Sequence, residues 1–407
     1  MTSVTAGTTL SKKQKILAFT LTLLTFVMGT SEFVIVGLLT EVSGDLGISV
    51  ATAGSLVSGF AIAYAIGTPL LTAFVSRFSK YPLMLILIFV FIVGNVISAL
   101  SSTYTILMLS RLITAIVSGV LTALAMSVAN DSMPAEKRSS VIALIFAGFT
   151  IANVMGVPIG TFVGQLGSWH LTFWLTALLG IIAFGISVVA LPKNMKNEKS
   201  SISDSLRLFK HPRIILAFLI PIFCFTGTYT IYTYITPILE NGLNIPVKYA
   251  GIVLLAYGGF SIFSNILAGK IASKNGVSRL RYVFIIQAII LTSFYFTLSS
   301  IIPGLISIML MAVMLYAMNA TIQVYFMDLA DKYSPGAKDF ASSLTPVSVN
   351  VGIASGSALG GFVVSTGNLV DLSWVGGLAA LIASGLAFIS YHLDKKDKNS
   401  NENLKVE

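Results

Sequence analysis

Charge is what this sequence has least of. Only 10% of its 407 residues are Asp, Glu, Lys or Arg, while 55% are hydrophobic and the mean hydropathy is +0.89. A soluble domain carries about 25% charged residues, so a deficit this deep excludes an ordinary soluble globular chain. Cysteine is nearly absent. Cys224 stands alone in an apolar run, where it can form no internal disulfide and reads as a small buried side chain. The three histidines, His170, His211 and His392, are scattered and form no metal-ligand spacing. There is no G-x-x-x-x-G-K-[ST] phosphate loop and no G-x-S-x-G nucleophile turn, so ATP hydrolysis and that form of acyl transfer lack their residues. The chain is therefore not read as an enzyme, and neither a cofactor nor a metal is expected.

What the sequence does have is apolar length. Runs of about 20 residues or more suffice to cross a hydrocarbon core of about 30 Å as helices at about 1.5 Å per residue, whereas a closed barrel would show short alternating strands. The first run follows "SKKQK" but is longer than a signal-peptide core and lacks an A-x-A-like cleavage site, so it reads as a retained span. Apolar runs and their Gly, Pro and charge punctuation predict twelve helices. They lie near residues 14–39, 50–75, 82–101, 104–130, 139–164 and 169–191, then 213–239, 247–272, 281–300, 303–328, 340–366 and 369–392. The polar stretch "PKNMKNEKSSISDSLRLFKHPR" separates the sixth from the seventh. The expected organisation is an N-terminal six-helix half (1–191), a cytoplasmic linker (192–212), a C-terminal six-helix half (213–392) and a cytoplasmic tail (393–407).

The basic residues orient the chain. All but two of the 25 Lys and Arg fall in the N-terminal segment, after spans 2, 4, 8 and 10, in the linker or in the tail. Those positions share one side of an even-numbered topology, which the positive-inside rule makes cytoplasmic, with both termini inside. The net charge of +9 is thus a topology signal, and nucleic acid is not expected as a partner. The exceptions are Lys248, in an outer loop, and Arg111, inside span 4. The halves also repeat: "TAFVSRFSKYP" after span 2 parallels "GKIASKNGVSR" after span 8, with Ser76-Arg77 matching Ser273-Lys274.

Several local motifs are more specific than the span count: "SEFVIVGLL" in span 1, "SRLITAIVSG" in span 4, "GVPIGTFVGQLGSWHLTFW" across spans 5 and 6, "YITPIL" ending span 7 and "ASSLTPVSVNVGIASGSALGG" in span 11. In these the chain resembles the major facilitator superfamily, in its drug:proton antiporter branch, near the bacterial efflux pumps for sugars, chloramphenicol-type drugs and purines. The resemblance covers residues 12 to 392 and implies an all-α membrane protein of twelve transmembrane helices in two pseudo-symmetric six-helix halves. The chain departs from the superfamily pattern G-x-L-a-D-R-x-G-R-K after span 2. Thr72, Ser76, Ser79 and Tyr81 stand at the glycine, aspartate, second glycine and final lysine positions, while Arg77 and Lys80 remain. Loss of the aspartate implies a weakened charge latch on the cytoplasmic side. Thr40, His170 and Thr345 replace a usual proline, arginine and asparagine.

Among the charged residues only Glu32 and Arg111 lie deep inside spans, where an ionisable group costs at least about 2.5–3.5 kcal/mol and faces a cavity or a partner. Each is seven residues from the outer end of its span, so both are placed about 10 Å deep and could meet. Movement of Glu32 between a dry environment and one beside a guanidinium would make it load and release a proton. The alternatives are a fixed pair that only orients spans 1 and 4, and an acid that recognises a cationic substrate. Polar side chains at helical spacing supply substrate-binding candidates: Asn153 in span 5, Tyr229 and Tyr232 in span 7, Asn319 and Gln323 beside Tyr316 in span 10, and Asn350 in span 11. Interhelical hydrogen bonding is the competing reading for each. Arg77 and "GVPIG" (Gly156, Pro158, Gly160) are read as conformational elements, and in the family that motif is associated with exporters.

The expected function is proton-coupled efflux of a small organic molecule (a drug, a nucleobase or nucleoside, or a sugar-like metabolite) across the cell membrane by alternating access, as a monomer. Its partners are the substrate, protons and the lipid bilayer. Proton-coupled uptake is the alternative within transport. A membrane sensor is the reading from another class, and the short tail "DKKDKNSNENLKVE" gives it no signalling domain.

Overall fold

The computed structural model describes residues 10–75, 77–193, 211–272, 276–333 and 338–403. Most of the expected linker, Ser76, Ser273-Lys274 and the last residues of the tail lie outside the described residues.

Twelve helices long and apolar enough to cross a membrane are present among the described residues. They are α1 (Lys12–Gly37), α2 (Val50–Val75), α3 (Lys80–Ala99), α4 (Tyr104–Ser132), α5, α6 (His170–Ala190), α7 (Pro212–Tyr232), α8 (Ala250–Ala272), α9 (Gly276–Thr297), α10, α11 (Lys338–Thr366) and α12 (Leu372–Asn403). A hydrocarbon environment demands that each backbone N–H and C=O be satisfied within its own segment, which is why these runs are helices. Their starts are set locally. Ser11 and Gln14 form a reciprocal capping box at the head of α1, with Gln14 N–H donating to Ser11 Oγ at 3.3 Å and Ser11 N–H to Gln14 Oε1 at 2.9 Å. Ser49 Oγ accepts from Thr52 N–H at 3.0 Å at the head of α2, and Thr103 Oγ1 from Ile106 N–H at 3.4 Å at the head of α4. A short helix, Leu39–Asp45, follows α1 and turns at Gly47, whose φ of +61° is open to glycine at no steric cost. Large apolar side chains such as Phe296, Ile302 and Phe362 are about seven-tenths exposed, as a lipid-facing exterior requires.

Two spans are interrupted. α5 runs from Ala135–Ile151 through a π turn at Ala152–Gly156 into Val157–Gln165, so the irregular turn lies directly before Pro158, which has no N–H to give the helix. α10 is broken into Ile301–Met314 and Asn319–Tyr333. The expected continuous polar stripe of Tyr316, Asn319 and Gln323 is therefore divided, with Tyr316 in the break. There Tyr316 N–H donates to Ser264 Oγ of α8 at 2.7 Å, and Leu315, Ala317 and Asn319 N–H groups bond three residues back.

The chain forms two compact units: Met1–Val34 with Ile66–Ser200, and Ile35–Ala65 with Ser201–Glu407. In the first, small residues bring α1 and α5 together. A Cβ on Gly29 would stand 2.9 Å from the Cβ of Ala152, while Gly156 abuts Thr30 and Gly160 abuts Val34. In the second, Gly352, Gly356 and Gly360 of α11 meet the backbone of α7 at Ile222, Thr226 and Thr230. The same device thus joins the first and fifth helices of each half.

Candidate functional site

In the first unit, α1 and α4 place the two intramembrane charges together. Arg111 is 1% exposed and Glu32 6%. The guanidinium reaches α1 by donating from Nη1 to the main-chain oxygen of Ser31 at 2.6 Å and from Nη2 to that of Glu32 at 2.9 Å. Its planar fork thus spans two consecutive carbonyls, which places a fixed positive charge at the root of the Glu32 side chain. The expected meeting of the two residues is found, with the hydrogen bonds shown ending on the backbone of the acid's own turn. The turn is also held from α3, by an amide that α6 meets in turn. Asn95 Oδ1 accepts from Ser31 Oγ at 2.8 Å and from Thr176 Oγ1 at 2.9 Å. Asn95 was not singled out in the sequence, although an amide in the apolar run "LILIFVFIVGNVISAL" is the same kind of signal that marked Glu32.

Asn153 sits in the π turn of α5, 2% exposed, with Nδ2 donating to Phe149 O at 3.4 Å. Gly156, Pro158 and Gly160 are buried, and the two glycines pack against Thr30 and Val34 of α1. Arg77 is exposed, its guanidinium over the rings of Phe74 and Phe78 at 4.8 and 5.2 Å. At the same end Lys80 is 2% exposed and donates to Asp131 of α4 at 2.5 Å and to Ser127 Oγ at 2.7 Å. Asp131 is a partner that the sequence reading missed. His170, in place of the usual arginine, ties the α3–α4 connection to the start of α6 through Ser168 Oγ at 2.7 Å and Ser101 O at 2.9 Å.

The second unit holds the aromatic candidates. Tyr229 and Tyr232 of α7 are each 1% exposed with ring centroids 5.3 Å apart, and Tyr232 stacks on Tyr257 of α8 at 4.9 Å. Tyr257, also missed in the sequence, buries its hydroxyl with no hydrogen-bond partner among the described residues. Asn319 begins the second half of α10 and buries an Oδ1 that has no hydrogen-bond partner among the described residues; Gln323 lies half-buried one turn on. Asn350 of α11 donates from Nδ2 to Pro346 O at 3.1 Å, and its Oδ1 has no partner among the described residues. A buried polar atom left unpaired costs about 1–3 kcal/mol, so each is a group that a bound molecule bearing N–H or O–H donors would stabilise. Among the described residues no three His, Cys, Asp or Glu side chains come together as a metal would need.

Comparison with known proteins follows the same lines. The family described as Major Facilitator Superfamily matches residues 21–337. The MFS-type transporter YtbD of Bacillus subtilis is 36% identical over 374 residues, covering 92% of this chain and 94% of that protein. The inner membrane transport protein YdhP of Escherichia coli is 31% identical, covering 89% of this chain and 92% of its own. Among solved structures, a bacterial homolog of the human lysosomal transporter Spinster, inward-facing and occupied, superposes with a TM-score of 0.75 at 16% identity, over 94% of this chain and 98% of that one. The nucleoside transporter NupG superposes with a TM-score of 0.71 at 17% identity, over 95% and 100%. These structural likenesses establish the fold.

Proposed function

Because this chain belongs to the Major Facilitator Superfamily and is a multi-pass membrane protein of twelve spans, we propose that it exports a small organic molecule across the cell membrane by alternating access, driven by protons. The observation that carries this reading is Glu32, a buried carboxylate whose own turn of α1 is bonded by the buried Arg111. Such an acid is retained in a membrane for a task, and binding and release of a proton is the task its chemistry suits. Proton loading neutralises Glu32 and removes its attraction to Arg111, so the protonated and deprotonated proteins differ in what holds α1 to α4. That difference is what couples a proton to a change of conformation.

Tyr229, Tyr232, Asn153, Asn319, Gln323 and Asn350 are proposed to bind the substrate, by stacking and by hydrogen bonds from its donors to the amide oxygens. Few polar groups among aromatic walls suit a neutral or weakly polar compound. YdhP is described as a transport protein, which agrees with transport and leaves the compound to be identified.

Thermal-shift screening of purified protein against nucleobases, nucleosides, sugars and antibiotics supplies a ligand. Everted vesicles with an imposed pH gradient then test transport. Accumulation of the ligand in everted vesicles in exchange for protons is expected, and Glu32→Gln should abolish the pH-driven part while substrate-induced stabilisation persists. Unchanged proton-driven export by Glu32→Gln would falsify the coupling reading, and accumulation only in right-side-out vesicles would make the protein an uptake symporter.

A further inference from the structure

The polar residues around the Ser31–Glu32 turn form one connected set. Asn95, 1% exposed on α3, accepts at Oδ1 from Ser31 Oγ of α1 at 2.8 Å, and Thr176 Oγ1 of α6 shares its one proton between that Oδ1 and Phe173 O, each at 2.9 Å. Its Nδ2 donates to Phe91 O at 2.9 Å, which fixes which way the amide faces. The Ser31 it holds by the hydroxyl is the residue whose carbonyl accepts Arg111 Nη1. One turn of α1 is therefore held by α3 through Asn95, which α6 meets in turn, and by α4 through the guanidinium.

We propose that Asn95 is a positioning residue for the proton site. With Ser31 and Thr176 it fixes the Ser31–Glu32 turn so that Arg111 stays on two main-chain carbonyls and the Glu32 carboxylate is left available to the proton. This rests on the reading of Glu32 as the proton carrier. A guanidinium fork matches two neighbouring carbonyls or the two oxygens of a carboxylate, and its bonds to the ionised group are about twice as strong as those between neutral groups. The fork stays on the carbonyls while the turn presents them, and a loosened turn lets it capture the carboxylate instead. Arg111 is the charged group that acts on Glu32, the group reaching the turn from α3 is the neutral Asn95 amide, and the Thr176 hydroxyl of α6 meets that amide.

The test uses the full-length protein in lipid nanodiscs with dicyclohexylcarbodiimide, an apolar reagent that modifies protonated carboxyls, and reads modification of the Glu32 peptide by mass spectrometry across pH. Asn95→Ala and Ser31→Ala should each slow modification near neutral pH about five-fold, the size of one lost buried hydrogen bond. The double variant should be slowed no more than either single one, because both cut the same link. Ser98→Ala is the control. It removes the 2.7 Å Ser98–Ser110 hydroxyl bond between α3 and α4 without touching α1, and should leave the rate unchanged. If wild-type Glu32 is modified at a rate independent of pH, the proton-carrier reading fails and this inference with it. If wild-type modification depends on pH but Asn95→Ala and Ser31→Ala match it, or Ser98→Ala slows it equally, the positioning role alone is overturned. Should Asn95→Ala not fold, Ser31→Ala carries the comparison, since it leaves the Asn95–Thr176 bond in place.

Discussion

Lys80 shows what a single residue in this chain must satisfy. Its ammonium is buried at the head of α3, where Asp131 and Ser127 of α4 receive it. The aspartate expected at position 76 is serine, and among the described residues of this unit Asp131 is the acid that meets Lys80. Asp131 is 39% exposed, so solvent screens part of the pair, but removal of the acid leaves the lysine buried without its counter-charge. Asp131→Ala should therefore destabilise the protein by about 1–3 kcal/mol. The double variant Lys80→Met/Asp131→Ala should be the more stable of the two, as measured by thermal unfolding in detergent. If Lys80→Met/Asp131→Ala melted below Asp131→Ala, the buried ammonium would not be the source of the loss. Glu32 and Arg111 were legible in the sequence because charge inside an apolar run is rare, and equal distance from the outer ends placed them together. The landing of the guanidinium on the carbonyls of Ser31 and Glu32 was not, because a backbone acceptor carries no residue label.

At the scale of elements, the α1–α5 contact depends on the absence of side chains. A methyl on Gly29 would meet Ala152 Cβ and Phe149 Cδ1, both at 2.9 Å, and the Phe149 backbone at 3.4 Å, so Gly29→Ala should destabilise by about 1–3 kcal/mol through overpacking. Gly185 of α6 has open space around its missing Cβ, and Gly185→Ala should be neutral or stabilise by up to about 1 kcal/mol through helix propensity. Unfolding of both variants in mixed micelles checks the contrast, and equal losses would mean that close approach of α1 to α5 is not what Gly29 supplies. The twelve helices were legible from apolar length, and most ends fall within a few residues of their expected places. The break in α10 was not, since "MLYAM" holds strong helix formers. It is Ser264, on another helix, that takes the Tyr316 N–H, and a competitor for a backbone donor from α8 leaves no mark in the sequence of α10.

For the whole molecule, the placement of Lys and Arg makes a topological statement. The orientation expected from the basic residues would put Lys248 outside and Lys395 inside; both are exposed. In a Cys224→Ser background, Lys248→Cys in intact cells should react with a membrane-impermeant maleimide, and Lys395→Cys should react only after permeabilisation. The opposite pattern would invert the chain. The two-half repeat has a structural counterpart in the glycine contacts of α1 with α5 and of α7 with α11. That repetition was visible in the sequence only as "GVPIG" and "ASGSALGG", because small residues announce close approach without naming the helix they meet.

Local sequence was enough for the class of protein, the positions of its spans and the two charges that lie within them. These follow from local quantities: transfer energy per residue, helical rise and charge counts along one chain. Packing between helices set the rest: Arg111 bonds the backbone of the acid's turn, Asn95 holds the same turn and is met by Thr176, Asp131 receives Lys80, and α10 breaks at Tyr316. Each of those depends on a directional hydrogen bond of about 3 Å between helices, and the distance and angle of such a bond are set by packing rather than by the order of residues along either helix.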